Sequence, residues 1–375
     1  MRIDLLSRFW RNHFAVLGGV SPEDKTVRKS QNLFALPGDD LAHVLRLAAA
    51  DLEALRGKSL FITGGTGFFG KWLLGALVHA DAELALGLKL TVLSRDPAAF
   101  ARQYPQVDEV SALTFLRGHV ASFSPDPRSF DFVLHAATDT TVFTSEAEER
   151  ERSRAIVEGT RCMLDLARKC GAQRLLNISS GAVYGNFTSQ PSGAKEDDYA
   201  LAQPLTPYAV GKREAEQLCL DSGLDFVTAR AFAFLGPHLP LDAHFAAGNF
   251  LRDARRGGPI LVRGDRTALR SYLYPADLVV WLLRLLVRGE RARAYNVGSD
   301  EVVSIAQLAR LIAGEIDPAP EVVVQSVQAA GPQNIYLPDI SRARAELNLD
   351  VAIPLRAAIS RTLQYLGEGK HSTRP

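Results

Sequence analysis

The chain has 375 residues, 47% of them hydrophobic, and its 43 Lys and Arg nearly balance its 42 Asp and Glu. That length and apolar content are enough for a full core in one large domain or two interlocked ones. The near-zero net charge gives no overall field to draw the protein to nucleic acid or to an anionic membrane. Three cysteines, Cys162, Cys170 and Cys219, make neither an even disulfide set nor a metal-ligand spacing, which points to buried free thiols and to no metal site.

At the start of the chain, Arg2, Asp4, Arg8 and Arg11 interrupt the apolar residues, so no signal-peptide core is present there. The most apolar later run, residues 278–287, is short and carries Arg284, so it does not span a bilayer. A cytoplasmic protein without a membrane partner is expected. Residues 1–57 read as an N-terminal helical extension, with one helix near the start and a stronger one over residues 40–55. In the second, Leu41, Val44, Leu45, Ala48, Leu52 and Leu55 recur at helical spacing and form one apolar stripe. Such a stripe must be covered, either by the chain's own main domain or by a second copy.

From residue 59 onward, short apolar runs alternate with helical stretches, the pattern of an α/β, doubly wound parallel sheet of the Rossmann kind. Strands are expected at 60–63, 88–93, 113–116, 132–135, 175–179 and 226–229, with helices at 71–79, 148–170 and 207–220 between them. Residues 58–230 are therefore read as a dinucleotide-binding domain. Beyond residue 230 the rhythm breaks into Gly- and Pro-rich segments. Residues 231–366 read as a smaller substrate-binding lobe interleaved with the sheet, and 367–375 as a flexible tail.

The run SLFIT leads directly into GGTGFFG and then into KWLLGALVHA, which puts the glycines at a strand-to-helix turn. Gly64 permits a tight turn, Gly67 lets backbone approach a diphosphate, and Gly70 lets helix and strand pack closely. The choice of dinucleotide is made at the end of the second strand, where a carboxylate suits a ribose hydroxyl and a basic residue suits a 2′-phosphate. Here Ser94 and Arg95 stand, so NADP is favoured over NAD. Asp96 follows and could take the ribose itself or pair with Arg95.

In PYAVGK, Tyr208 and Lys212 are four residues apart and share one face of a helix. A phenol with an ordinary pKa near 10 is a poor base at neutral pH, and a neighbouring ammonium favours the phenolate. Upstream, Ser179 and Ser180 end an expected strand at the sheet edge where ligands bind. Either hydroxyl could bond a reacting oxygen, and either could cap the turn that follows.

TGGTGFFG, HAA at residues 135–137, SSGAVYG and PYAVGK, in this order and spacing, resemble the extended short-chain dehydrogenase/reductase family of nucleotide-sugar epimerases and dehydratases. The resemblance covers about residues 58–365. It implies that Ser180 rather than Ser179 is the catalytic hydroxyl, beside Tyr208 and Lys212. It also implies a dinucleotide against Gly64, Gly67, Phe68, Phe69, Gly70, Ser94, Arg95, His119, Val120, Ala136, Ala137, Tyr208 and Lys212. A nucleotide sugar is expected to meet Thr138, Ser180, Asn249 and Arg270. Asn296, in YNVG, corresponds to a late strand, and a homodimer is expected.

Three positions depart from the family pattern. His119 stands where an adenine-side Asp is usual, and Ala233 where the family has Asn. Gly181-Ala182 occupies the stretch in which dehydratases and decarboxylases resemble one another by carrying an acid, needed to move a second proton. The small pair resembles the 4-epimerases. The expected reaction is epimerisation by transient oxidation of a sugar hydroxyl, at C4, with Tyr208 as base. A one-way NADPH-dependent 4-ketoreductase is the alternative, and a catalytically silent dinucleotide-binding sensor is the reading outside enzymology.

Overall fold

The computed structural model describes residues 32–123, 129–139, 145–185, 193–200, 206–243, 245–325 and 334–368. Seven parallel strands form the central sheet: β1 (Ser59–Thr63), β2 (Lys89–Ser94), β3 (Leu113–Arg117), β4 (Phe132–His135), β5 (Arg174–Ser180), β6 (Phe226–Ala231) and β9 (Arg293–Val297). Their order across it is β3-β2-β1-β4-β5-β6-β9. The strands are apolar on both faces because helices cover both, so runs such as Leu60, Phe61 and Ile62 are wholly buried. The chain reverses direction across the sheet at β1, which pairs with β2 on one side and β4 on the other. A crevice therefore opens beyond Thr63 and His135, the place where such sheets bind ligands.

One face of the sheet carries α5 (Glu146–Cys170) and α6 (Pro207–Asp221), packed on each other. α5 begins with a capping box, in which the Ser145 hydroxyl accepts from the Glu148 amide and the Glu148 carboxylate accepts from the Ser145 amide. Gly171, left-handed at φ +64°, ends it. On the other face lie α3 (Phe68–Leu84) and α8 (Pro275–Arg288). α3 starts three residues earlier than its apolar pattern suggests, directly after Gly67. It is buried nearly all round, with Trp72, Leu73, Leu74, Leu77 and Val78 inside.

What covers the outer side of α3 and α8 is the N-terminal extension. The single helix expected over residues 40–55 is two helices, α1 (Gly38–Leu47) and α2 (Ala49–Ala54), broken at Ala48. The break turns Asp51 inward, where its carboxylate accepts from Arg284 (3.0 Å) and Arg288 (2.5 Å). Leu41, Val44, Leu52 and Leu55 are buried against the chain's own core, so the stripe is covered intramolecularly. His43 Nε2 lies 2.7 Å from Asp277, and the Tyr274 hydroxyl donates to Asp40 at 2.6 Å. Arg361 also pairs with Asp40. These contacts fasten the extension to α8 and to α11 (Leu355–Glu368).

The far lobe is built from α7 (Ala246–Arg256), two small sheets and the short helix α10 (Ser341–Leu347). One small sheet pairs β7 (Ile260–Val262) with β11 (Val322–Val324). The other joins β8 (Leu269–Arg270) to β10 (Val303–Ser304) and β12 (Ile335–Tyr336), and α9 (Ile305–Gly314) follows β10. α11 runs through Gly367 and Glu368, where the sequence suggests a frayed tail, because Leu363 and Leu366 pack on the core. The helix expected near the start of the chain and the last seven residues lie outside the described residues. Cys219 is buried, whereas Cys162 and Cys170 are only half-buried, and all three are free thiols. Among the described residues no helix is long and apolar enough to cross a membrane.

Candidate active site

The crevice opens into a cleft of about 1790 Å³ between the strand ends and the far lobe. That exceeds the roughly 300–1,000 Å³ of a site for one small ligand, so two ligands can lie side by side. At its floor is the glycine turn. Gly64 has φ +73°, and a Cβ there would stand 2.7 Å from the Ala136 carbonyl carbon. Such crowding excludes any side chain. Gly67 is exposed to the cleft and a Cβ there would meet only the Gly64 oxygen, at 3.4 Å. No side chain caps the first turn of α3, so its amides can receive an anion. The turn thus fits the diphosphate of a dinucleotide. Gly70, expected among the cofactor contacts, does not line the cleft. A Cβ on it would come within 2.3 Å of Gly64 and Gly65 backbone, so its part is to let the helix lie against the turn.

His135 and Thr63 set the neighbouring wall. Thr63 Oγ1 accepts from the Ala137 amide at 3.1 Å and lies 2.9 Å from His135 Nδ1, while His135 Nε2 is 3.3 Å from Thr160 Oγ1. Burial, with Lys212 nearby, drives the His135 pKa down to about 3, so the ring is a neutral strut. Through Thr63 it steadies the backbone of Ala137, which lines the cleft together with Ala136 and Thr138. Phe68, Phe69, His119 and Val120 also line it. Residues 140–144 lie outside the described residues.

At the end of β2, Ser94 is buried and Arg95 is exposed, with Arg95 3.6 Å from Asp139. Asp96, open to two readings in the sequence, is the N-cap of α4 (Pro97–Gln103) and accepts from the Ala99 amide at 2.9 Å.

Tyr208 and Lys212 sit one above the other on α6, whose N-cap Thr206 and first-turn Pro207 start it just before Tyr208. Burial raises the Tyr208 pKa, while a hydrogen bond with Ser180 and the charge of Arg152 lower it. Lys212 Nζ donates to Thr138 Oγ1 and to the Ile178 carbonyl, each at 2.8 Å. Burial brings its pKa down to about 8, opposed by Glu216 one turn along. The Ser179 hydroxyl donates to Glu216 at 2.5 Å, whereas Ser180 Oγ lies 3.5 Å from the Tyr336 hydroxyl and accepts from the Ala182 amide at 3.2 Å. Glu216 is in turn gripped by Arg230, and Arg230 donates to the Tyr184 hydroxyl at 2.9 Å. Gly181 is closed off from the cleft, since a Cβ would meet the Phe232 ring at 2.7 Å; Ala182 faces the cleft.

On the far lobe, Asn249 and Arg270 line the same cleft. Asn249 Oδ1 accepts from Arg252 at 2.9 Å, and Arg270 lies over the Tyr336 ring with burial lowering its pKa. Ala233 lines the cleft too. Sequence reasoning missed Tyr336 and Arg152. Neither belongs to a motif, and each reaches Ser180 or Tyr208 only through the packing of elements remote in the chain.

A model of the NAD dependent epimerase/dehydratase family matches residues 60–298. Among curated proteins, UDP-glucuronic acid decarboxylase 1 of Arabidopsis thaliana is 28% identical over 309 residues, covering 80% of this chain and 68% of that protein. The same enzyme of Xenopus tropicalis is 27% identical, covering 82% and 72%. Among solved structures, an epimerase from Methanothermobacter thermautotrophicus has a TM-score of 0.74 at 22% identity, covering 88% of this chain and 97% of that one. The dTDP-glucose 4,6-dehydratase of Streptomyces venezuelae, solved with NAD, has a TM-score of 0.69 at 21% identity, covering 84% and 98%. Both structures share this fold.

Proposed function

Because this chain belongs to the NAD-dependent epimerase/dehydratase family and is an enzyme of the extended short-chain dehydrogenase type, we propose that it epimerises a nucleotide sugar at C4. The observation that carries this reading is the Ser180, Tyr208 and Lys212 set beside Ala182, in a cleft roomy enough for two ligands. Among the described residues, the carboxylates lining the cleft are Asp139, Glu148, Glu149, Glu151 and Asp265, and none flanks Ser180 in the chain. Family members that dehydrate or decarboxylate resemble one another in carrying an acid between the catalytic hydroxyl and Val-Tyr-Gly, to move a second proton, and Gly181-Ala182 in that place disfavours both despite the likeness to decarboxylases.

In this reading the Tyr208 oxygen takes the proton of the sugar hydroxyl and later returns it, while the Ser180 hydroxyl bonds the same sugar oxygen. Lys212 holds Thr138 and the β5 backbone in register with Tyr208. A bound nicotinamide dinucleotide supplies a reversible hydride acceptor. The cleft volume allows the transient ketone to present its other face, so that hydride would return to the opposite side of C4 and the proton to its oxygen. Arg270 meets the diphosphate of the sugar nucleotide, whose charge offsets the cost of its burial. Asn249 contacts the same ligand.

The dinucleotide is read as NADP rather than NAD, on Ser94 in the place of a carboxylate and Arg95 beside it. That pair also favours a second reading, an NADPH-dependent 4-ketoreductase. Incubation of the purified protein with UDP-sugars, followed by chromatography of the products, tests both. A 4-epimer formed without net NADPH consumption supports the epimerase. Stoichiometric NADPH oxidation indicates the ketoreductase, and carbon dioxide release from UDP-glucuronate would sink both. A homodimer is proposed with this function. Leu220 and Val210, 54% and 37% exposed on α6, support an outer contact that sedimentation would report.

A further inference from the structure

We propose that Arg152 is a positioning residue for the reaction: its guanidinium, laid on the ring of Tyr208, holds that side chain in place and stabilises the negative charge its oxygen bears as a base. The proposal rests on the reading of Tyr208 as the base. Four observations carry it.

The first is that Arg152 alone among five arginines of α5 turns inward. All five pair with an acid one turn away on the same helix, but Arg150, Arg154, Arg161 and Arg168 are 53–75% exposed, whereas the Arg152 side chain is 13% exposed and lines the cleft. The second is the contact itself, with the guanidinium carbon 4.9 Å from the Tyr208 ring centroid, within reach of a cation-π interaction.

The third is how the contact arises. A Cβ at Gly211 would stand 2.6–3.0 Å from Ser153, so α5 and α6 touch there only because residue 211 has no side chain. Arg152 precedes Ser153, and Tyr208 lies one turn before Gly211 on the same face of α6. The close approach therefore brings the two side chains together.

The fourth is that Lys212 is less suited to supply the charge. Its ammonium is directed to Thr138 and to the Ile178 carbonyl, it stands 6.0 Å from the Tyr208 ring centroid, and burial makes it lose its proton near pH 8. A guanidinium does not titrate in the working range. The other groups facing Tyr208 are the Ser180 and Tyr336 hydroxyls, with Arg270 behind Tyr336 and Glu216 behind Lys212. Glu149, 3.6 Å from Arg152, and Glu148 stand on the cleft side of α5 and temper the field of Arg152 without cancelling it.

The test compares wild type, R152Q and R152K. Ionisation of Tyr208 is read by ultraviolet difference titration of the dinucleotide-bound protein, with Tyr208→Phe identifying its signal, and kcat is followed against pH. In R152Q the Tyr208 midpoint and the acidic limb of kcat should both rise by about one pH unit, from the loss of a charge at this distance. KM should stay within about twofold, and R152K should recover part of the shift. An unchanged midpoint in R152Q overturns the proposal. So does a raised KM with an unmoved midpoint, which would make Arg152 an anion contact for the substrate. Should R152Q not fold, R152M, which likewise removes the charge, carries the same readings. If no nucleotide sugar is turned over, the functional reading fails while the titration still decides this one.

Discussion

The Ser179 hydroxyl donates a hydrogen bond of 2.5 Å to Glu216, away from the reacting centre, and the adjacent Ser180 hydroxyl bonds Tyr208. Adjacent residues of a strand point to opposite faces, so one serine joins the Glu216–Arg230 network and the other the cleft. Ser180→Ala should cut kcat about 10²-fold or more, as loss of a donor to a developing oxyanion does, with the thermal midpoint unchanged. Ser179→Ala should do the reverse, costing about 1–3 kcal/mol of stability at near-normal kcat. Equal losses of activity would refute the division.

Lys212 makes a pH-dependent claim that can be checked without substrate. Its pKa falls from 10.5 to about 8 on folding, because burial disfavours the ammonium. Between those values the unfolded chain binds the extra proton, so this group's contribution to stability rises with pH from 8 to 10.5. Below pH 8 its full penalty is present, roughly 3 kcal/mol at most. Denaturant titrations should show wild type gaining on Lys212→Met across that window. A constant difference between them would mean that Lys212 is charged throughout.

Asp51 is wholly buried and is shared by Arg284 and Arg288. Asp51→Ala leaves the half-buried Arg284 without this carboxylate and should destabilise the protein by about 3–5 kcal/mol, read as a lower midpoint in urea. The extension should then become the first segment cut in limited proteolysis. A loss below about 0.5 kcal/mol would identify the pair as a surface-like bridge.

On the proposed reading, Arg95 is the side chain that tells the two dinucleotides apart. Arg95→Ala should weaken NADP binding about tenfold or more, the worth of a charge-assisted hydrogen bond, and leave NAD within about twofold. Calorimetric titration of both dinucleotides decides it. Equal effects on the two would remove the reason for preferring NADP.

Much of the site is legible in the chain itself because it is local. The glycine turn is a statement about backbone crowding, and Gly64 and Gly70 behave as their spacing implies, although Gly70 works behind the turn rather than on the ligand. Asp96 is ambiguous in sequence because ribose binding and pairing with Arg95 both suit an Asp at that position; the structure makes it instead the N-cap of α4. The break at Ala48 cannot be read from periodicity. An unbroken helix satisfies the same apolar stripe, and only the arginines of α8 explain why Asp51 turns inward.

Residue order alone dictates the strand-turn-helix that presents amides to an anion and the four-residue spacing that stacks Tyr208 over Lys212. Both follow from geometry within one or two elements. Which groups gather around Tyr208 and Ser180 is instead a product of the packing. Ser180 arrives from β5, Tyr336 from β12 and Arg152 from α5. The burial that lowers the Lys212 pKa is likewise made by helices and strands closing over it. Contacts and desolvation between remote elements carry no periodic signature in the chain, so these properties exist only once the elements have come together.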